Sequence, residues 1–132
     1  MTRRRPSFPP DVAEALQRPD GSASVRYTVP AALAHGPRVD AVLMETPYER
    51  VLASLTLDTR CNLCFVRTGS RDEGARVALV NIAPLLVAGC HWHIELIWDD
   101  QQLRVAVRDQ HASAGPQLEG RWPRTAELED IG

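Results

Sequence analysis

Apolar and polar residues alternate with a period of two through most of this chain, most cleanly between residues 76 and 109. Residues 76–82 form an apolar, partly β-branched run, the pattern of a strand. Pro84 then stands where a short helix can begin, because a residue without an amide hydrogen is tolerated best in a first turn. Gly89 closes the one-turn helix over residues 84–88 that Leu85, Leu86, Val87 and Ala88 would make. In the next run Trp92, Ile94, Leu96 and Trp98 fall on one face, and His91, His93 and Glu95 on the other. Asp99, Asp100 and Gln101 turn the chain, after which Leu103, Val105 and Val107 alternate with Arg104, Ala106 and Arg108. An antiparallel return brings arginines beside Glu95 and the two histidines. Trp92, Leu96 and Val105 are then expected in the core, with Leu85 and Leu86 closing one end of it.

The first half reads as β structure too. Val25, Tyr27 and Val29 alternate with Arg26 and Thr28, residues 39–45 form a second apolar run, and Val51, Ala53, Leu55 and Leu57 alternate with Ser54, Thr56 and Asp58. Pro47 and Tyr48 mark a turn, residues 60–67 continue as a strand after a bend, and residues 68–74 are a hydrophilic loop tip. Beyond Asp109 the chain reads as loop through Gly115 and Pro116, then as a short acidic helix over residues 125–130. Residues 1–23 read as a peripheral segment with a helix over residues 11–18. Asp11 would cap it, Glu14 would complete a capping box, and Pro19, Asp20 and Gly21 would stop it. The expected architecture is α+β: a β-rich domain over residues 24–132, built on an open antiparallel sheet of about six strands with short helices.

A chain of 132 residues fits one domain that buries roughly two-thirds of its unfolded surface. Its net charge of −2 supplies no field favouring nucleic acid or an anionic membrane. All 15 basic residues are arginine, which excludes lysine Schiff bases, phosphate-loop lysines and lysine general bases. Arg3, Arg4 and Arg5 are followed by Pro6, Ser7, Phe8, Pro9 and Pro10 rather than an apolar run, so no secretory leader is expected. With an odd count of three cysteines, the reading is a cytoplasmic protein with reduced thiols. No apolar stretch approaches the roughly 20 residues of a membrane span.

Two groups of side chains invite a chemical reading. Cys61, Cys64, Cys90 and His93 hold every cysteine and the donor types that zinc favours. Against them, residues three apart in a strand face opposite sides, so the expectation is no metal and no cofactor. His91, His93 and Glu95 share one strand face and could form a three-ligand site. The bland alternative is a polar sheet face with Arg104 and Arg108, and it is preferred. No Gly-x-Ser-x-Gly, glycine-rich phosphate loop or redox motif at a helix start is present. The chain therefore reads as non-enzymatic. His91, His93, Glu95, Arg104 and Arg108 are its candidate interaction face, a protein is its expected partner, and self-association through exposed sheet edges makes it a homo-oligomer.

From residue 51 to residue 89 the order Val51-x-Ala53-x-Leu55-x-x-Asp58-Thr59, then Val77-x-x-Val80, then Leu85-Leu86-x-x-Gly89 resembles the SsgA-like family of actinobacterial sporulation and cell-division regulators. Residues 94–98 and 103–107 fall where that family places two further strands. The family's Asp-Pro-Tyr-Ala-Val falls on Cys61-Asn62-Leu63-Cys64-Phe65, and of its Arg-acidic-Leu-Leu only Leu85-Leu86 is kept. The arginine-rich, lysine-free composition suits such a source. The resemblance implies a whirly-like, β-rich, non-catalytic homo-oligomer that binds division or developmental proteins. A second resemblance is to histidine-kinase-like, anti-sigma-type ATP-binding proteins, through Leu79-Val80 and the strands ending at Asp109. It implies a degenerate domain without catalysis, since Ile82 and Leu86 stand at the metal-binding positions and Pro84 interrupts the long helix of that fold.

Overall fold

The computed structural model describes residues 6–47, 52–68, 74–111 and 117–123. Its elements in order are α1 (Pro10–Ala15), β1 (Gly21–Thr28), α2 (Ala31–His35), β2 (Ala41–Glu45), β3 (Ala53–Leu57), β4 (Asn62–Thr68), β5 (Ala75–Asn81), a 3₁₀ turn (Ala83–Leu85), β6 (His91–Trp98), β7 (Leu103–Asp109) and β8 (Leu118–Trp122). The class is α+β with antiparallel sheet dominant, as the alternation required. The single six-stranded sheet is replaced by two four-stranded ones. Sheet I has the order β2-β3-β4-β5 and sheet II the order β1-β6-β7-β8.

The inner faces of both sheets supply one core. Leu55, Leu57, Leu63, Phe65, Ala78 and Val80 of sheet I and Val25, Trp92, Ile94, Leu96, Trp98 and Val105 of sheet II are all buried in it. Phe65 and Trp98 meet edge to face across the gap, with ring centroids 6.5 Å apart, a preferred aromatic geometry. Both core tryptophans find acceptors. The Trp92 Nε1–H donates to the Leu85 carbonyl at 2.9 Å and the Trp98 Nε1–H to the Arg18 carbonyl at 3.1 Å. Leu85 is buried and Leu86 packs against the core, so these two do close one end.

The side where β5 meets β8 is tightly joined. A Cβ at Gly120 of β8 would fall on the Leu79 carbonyl of β5, so only glycine lets the two backbones approach. On the opposite side the edge of β2 is met by the N-terminal segment: the Phe8 N–H donates to the Glu45 carbonyl and the Glu45 N–H to the Pro6 carbonyl.

Several expectations need correction. The N-terminal segment is not peripheral: Phe8, Val12, Ala13 and Leu16 are core residues, and β1 begins at Gly21. The first helix starts at Pro10 with no side-chain cap, and Asp11 lies inside its first turn. Proline at the first position needs no cap for a hydrogen it lacks. The turn around Pro84 is a 3₁₀ turn over Ala83–Leu85 with Leu86 at its C-terminal cap, and Gly89, at φ +83, sits in a separate turn before β6 rather than closing it. Helix α2 and strand β8 were not anticipated. Val51, Tyr48, most of the loop tip and the acidic helix over residues 125–130 lie outside the described residues.

Candidate functional site

The outer face of sheet II carries the charge. Because β1, β6, β7 and β8 are all antiparallel neighbours, side chains of the same parity line up in rows across them. One row is Ser22, Ile97, Arg104 and Arg121; the next is Ser24, Glu95, Ala106 and Glu119; the third is Arg26, His93 and Arg108; and Thr28 lies opposite His91 beyond it. The five residues expected to share this face, His91, His93, Glu95, Arg104 and Arg108, are therefore together on it. The register adds three that were not anticipated. Arg26 lies in an anticipated strand whose neighbour periodicity cannot give, and Glu119 and Arg121 lie in β8, a stretch to which the sequence pattern assigns no element.

The rows alternate in sign, from cationic to anionic and back. Glu119 receives Arg104 Nη2 at 2.7 Å and Arg121 Nε at 2.5 Å. The Arg104 hydrogen bond, working against partial burial and assisted by Arg121, holds the Glu119 carboxyl below its ordinary 4.5. The same bond raises the Arg104 guanidinium above its usual value. Glu95 Oε1 lies 3.5 Å from His93 Nε2. Arg26 and Arg108 are exposed and form no ion pair with any described residue.

At the end of this face His91 Nδ1 lies 2.8 Å from Thr28 Oγ1, and its ring meets that of His111 edge to face at 4.9 Å between centroids. Asp109 Oδ1 accepts the His111 N–H at 2.9 Å. Burial pushes the neighbouring Cys90 thiol up, and the Asp109 carboxylate adds to the shift. Cys64 is raised by burial and then by Asp58. Both therefore favour the thiol over the nucleophilic thiolate.

The alternative zinc set does not converge. Cys61 sits in the β3–β4 turn at φ +64, a turn that Asp58 organises by accepting the N–H groups of Arg60 and Asn62 at 2.8 and 2.9 Å. Burial pushes Asp58 up, but these bonds and one from the Asn62 side chain outweigh it and lower its carboxyl below 3.8. Cys64 points outward from sheet I, Cys90 precedes β6 in sheet II, and His93 points outward from sheet II. Among the described residues no three His, Cys, Asp or Glu side chains are grouped to hold a metal ion. The long helix required by the kinase-like resemblance is likewise replaced at Pro84 by a 3₁₀ turn, and Asp109 faces Cys90 at a sheet end.

Compared with family models, curated proteins and solved structures, the chain matches none of them. Among the described residues no helix is long and apolar enough to cross a membrane.

Proposed function

We propose that this is a non-enzymatic interaction protein that receives an acidic segment of a partner protein on the outer face of sheet II. One observation carries the reading: Arg26, His93 and Arg108 stand side by side on three adjacent strands, and the two arginines have no carboxylate among the described residues. Neighbouring strands lie about 4.8 Å apart, so the row offers guanidinium and imidazole donors at a spacing that successive carboxylates of an extended chain can follow. Four arginines stand on this face against two glutamates, a surplus of two positive charges on a chain whose net charge is −2. The surplus favours an anionic partner and speeds its approach.

The biological setting of sporulation-specific cell division or development in an actinobacterium, and a homo-oligomeric form, rest on the SsgA-like resemblance of residues 51–89, and a cytoplasmic location rests on the proline-interrupted start and the odd cysteine count. What supports it is the order of strand, turn, strand, short helical turn and two further strands.

Titration with an oligoglutamate peptide tests the reading. Binding is expected at low salt, to weaken as salt rises, and to drop at least about tenfold in Arg26→Ala/Arg108→Ala. Absence of binding at low salt, or binding that the double substitution leaves unchanged, removes this face as the site.

A further inference from the structure

Most sheet edges are occupied among the described residues. The β2 edge carries a register shift between Val42 and Met44 and is met by residues 6–8, and the edges of β5 and β8 lie against each other. The edge that remains is β1. The Val29 N–H donates to the Cys90 carbonyl and the Gln110 N–H to the His91 carbonyl, which fixes the phase of the ladders on both sides of β6. Because bonded and non-bonded pairs alternate in an antiparallel ladder, Gly21, Ala23, Val25 and Tyr27 turn their backbone groups to β6. Ser22, Ser24, Arg26 and Thr28 turn theirs to the open edge. All of these last are exposed, and no backbone group of another described residue bonds to them there. The strand runs eight residues in unbroken register, without the prolines, bulges or inward-pointing charges that ordinarily guard an edge.

We propose that this edge takes an extended stretch of the partner's acidic segment as a fifth strand of sheet II. This binding mode rests on the acidic-segment reading of the outer face: carboxylates that cross the row of Arg108, His93 and Arg26 reach the side of the sheet at Arg26, and the chain beside them can run on along β1. There the N–H and C=O groups of Ser22, Ser24, Arg26 and Thr28 supply the main-chain bonds of strand addition. Side chains select the stretch. Arg26 is the one charge on β1, and Ser22, Ser24 and Thr28 are small and neutral, so a carboxylate opposite Arg26 finds its counter-ion and meets no like charge. On the other side of the strand Ala23 and Tyr27 are half-buried and packed against the core. Alternate residues of the added stretch should therefore be apolar and cover them. The occupant is a segment that alternates acidic with apolar residues. A second copy of β1 fits less well, since it brings another arginine and no carboxylate.

Titration with a peptide of alternating valine and glutamate, and with the same peptide methylated at every amide nitrogen, separates backbone pairing from charge. The methylated peptide keeps its carboxylates and should bind at least about tenfold more weakly. Hydrogen exchange of the full chain, followed residue by residue, gives a second readout. The unmethylated peptide should slow the amides of Ser22, Ser24, Arg26 and Thr28 at least about tenfold, whereas those of Ala23, Val25 and Tyr27 are protected already. Ser24→Pro removes an edge donor at an exposed position and should weaken the unmethylated peptide at least about tenfold. The exchange measurement decides the matter if that variant does not fold. Equal binding of the two peptides, or edge amides that the peptide does not slow, would overturn the proposal. If both peptides then still weaken together in Arg26→Ala/Arg108→Ala, the acidic-segment reading survives its failure. Protection of the same amides that grows with protein concentration in the absence of peptide would give the edge to a second copy and overturn the proposal as well.

Discussion

The two outer faces belong to sheets of the same strand number, on opposite sides of one core, yet they carry opposite chemistry. Sheet II shows arginine, glutamate and histidine in rows of alternating sign, whereas the central rows of sheet I show valine, leucine, serine, threonine and a cysteine, with Glu45 at their β2 end. Folding does not demand this difference, because the inward positions of either sheet would be satisfied whatever faced out. The outward positions are free to answer to what they meet. A charged face suits a partner of complementary charge.

The comparison presumes that the two sheets are halves of one cooperative unit, and the largest predicted effect tests that. Trp98→Ala removes the ring that touches Phe65 across the core and the donor to Arg18, and should destabilise by about 3 to 5 kcal/mol in a single thermal transition. Two separated transitions would show that the sheets melt independently. Leu96→Ala, deeper in sheet II, should cost about 2 to 5 kcal/mol in the same single transition; a loss below about 1 kcal/mol would contradict the strand register. Gly120→Ala strikes the β5–β8 contact and should cost about 1 to 3 kcal/mol as the backbones move apart. A neutral outcome in denaturant titration would mean that the two sheets need not touch there.

Two smaller effects separate the faces themselves. Glu119→Gln releases Arg104 and Arg121, both partly exposed, and should cost no more than about 1 kcal/mol, an amount that shrinks as salt is added. Thr56→Val on sheet I should show no salt dependence. Acidification gives the smallest signal. The Glu119 carboxyl is lower in the folded protein than its ordinary 4.5, so its contribution is complete above that value and is lost as pH falls through the folded value. Glu119→Gln should therefore flatten part of the loss of stability below about pH 4.5, and an unchanged acid limb would show that the Arg104 pair contributes nothing to it.

Strands β6 and β7 and the side each residue faces were readable in advance, because six or more positions alternate without interruption and Asp99 marks the turn by accepting the N–H groups of Gln101 and Gln102. Periodicity assigns faces but not neighbours, which is why the pairing of β1 with β6 and the division into two sheets were not legible. Strand β8 gave little signal, since between the partly buried Leu118 and Trp122 its fully buried position is Gly120, chosen for what it lacks. The burial of the N-terminal segment did have a trace in the sequence. Phe8, Val12 and Leu16 recur every four residues, the spacing of one helical stripe, although proline and arginine around them suggested a solvated arm. Of the candidate face, the residues on β6 and β7 were legible because one hairpin sets their register. Arg26, Glu119 and Arg121 were not, because pairings across the whole chain bring them in.

The order of strands within each sheet also bears on how the molecule comes into being. Sheet I is a meander whose neighbours are consecutive in the chain, so it can assemble from local hairpins as soon as residues 41–81 are available. Sheet II cannot, since β1 pairs only with β6, more than sixty residues later. A chain emerging from the ribosome would thus hold a formed sheet I with Leu55, Leu63 and Phe65 uncovered, and an N-terminal strand still waiting for its mate. That interval, which ends only when β6, β7 and finally Gly120 arrive, is when the protein is most open to aggregation or to a chaperone.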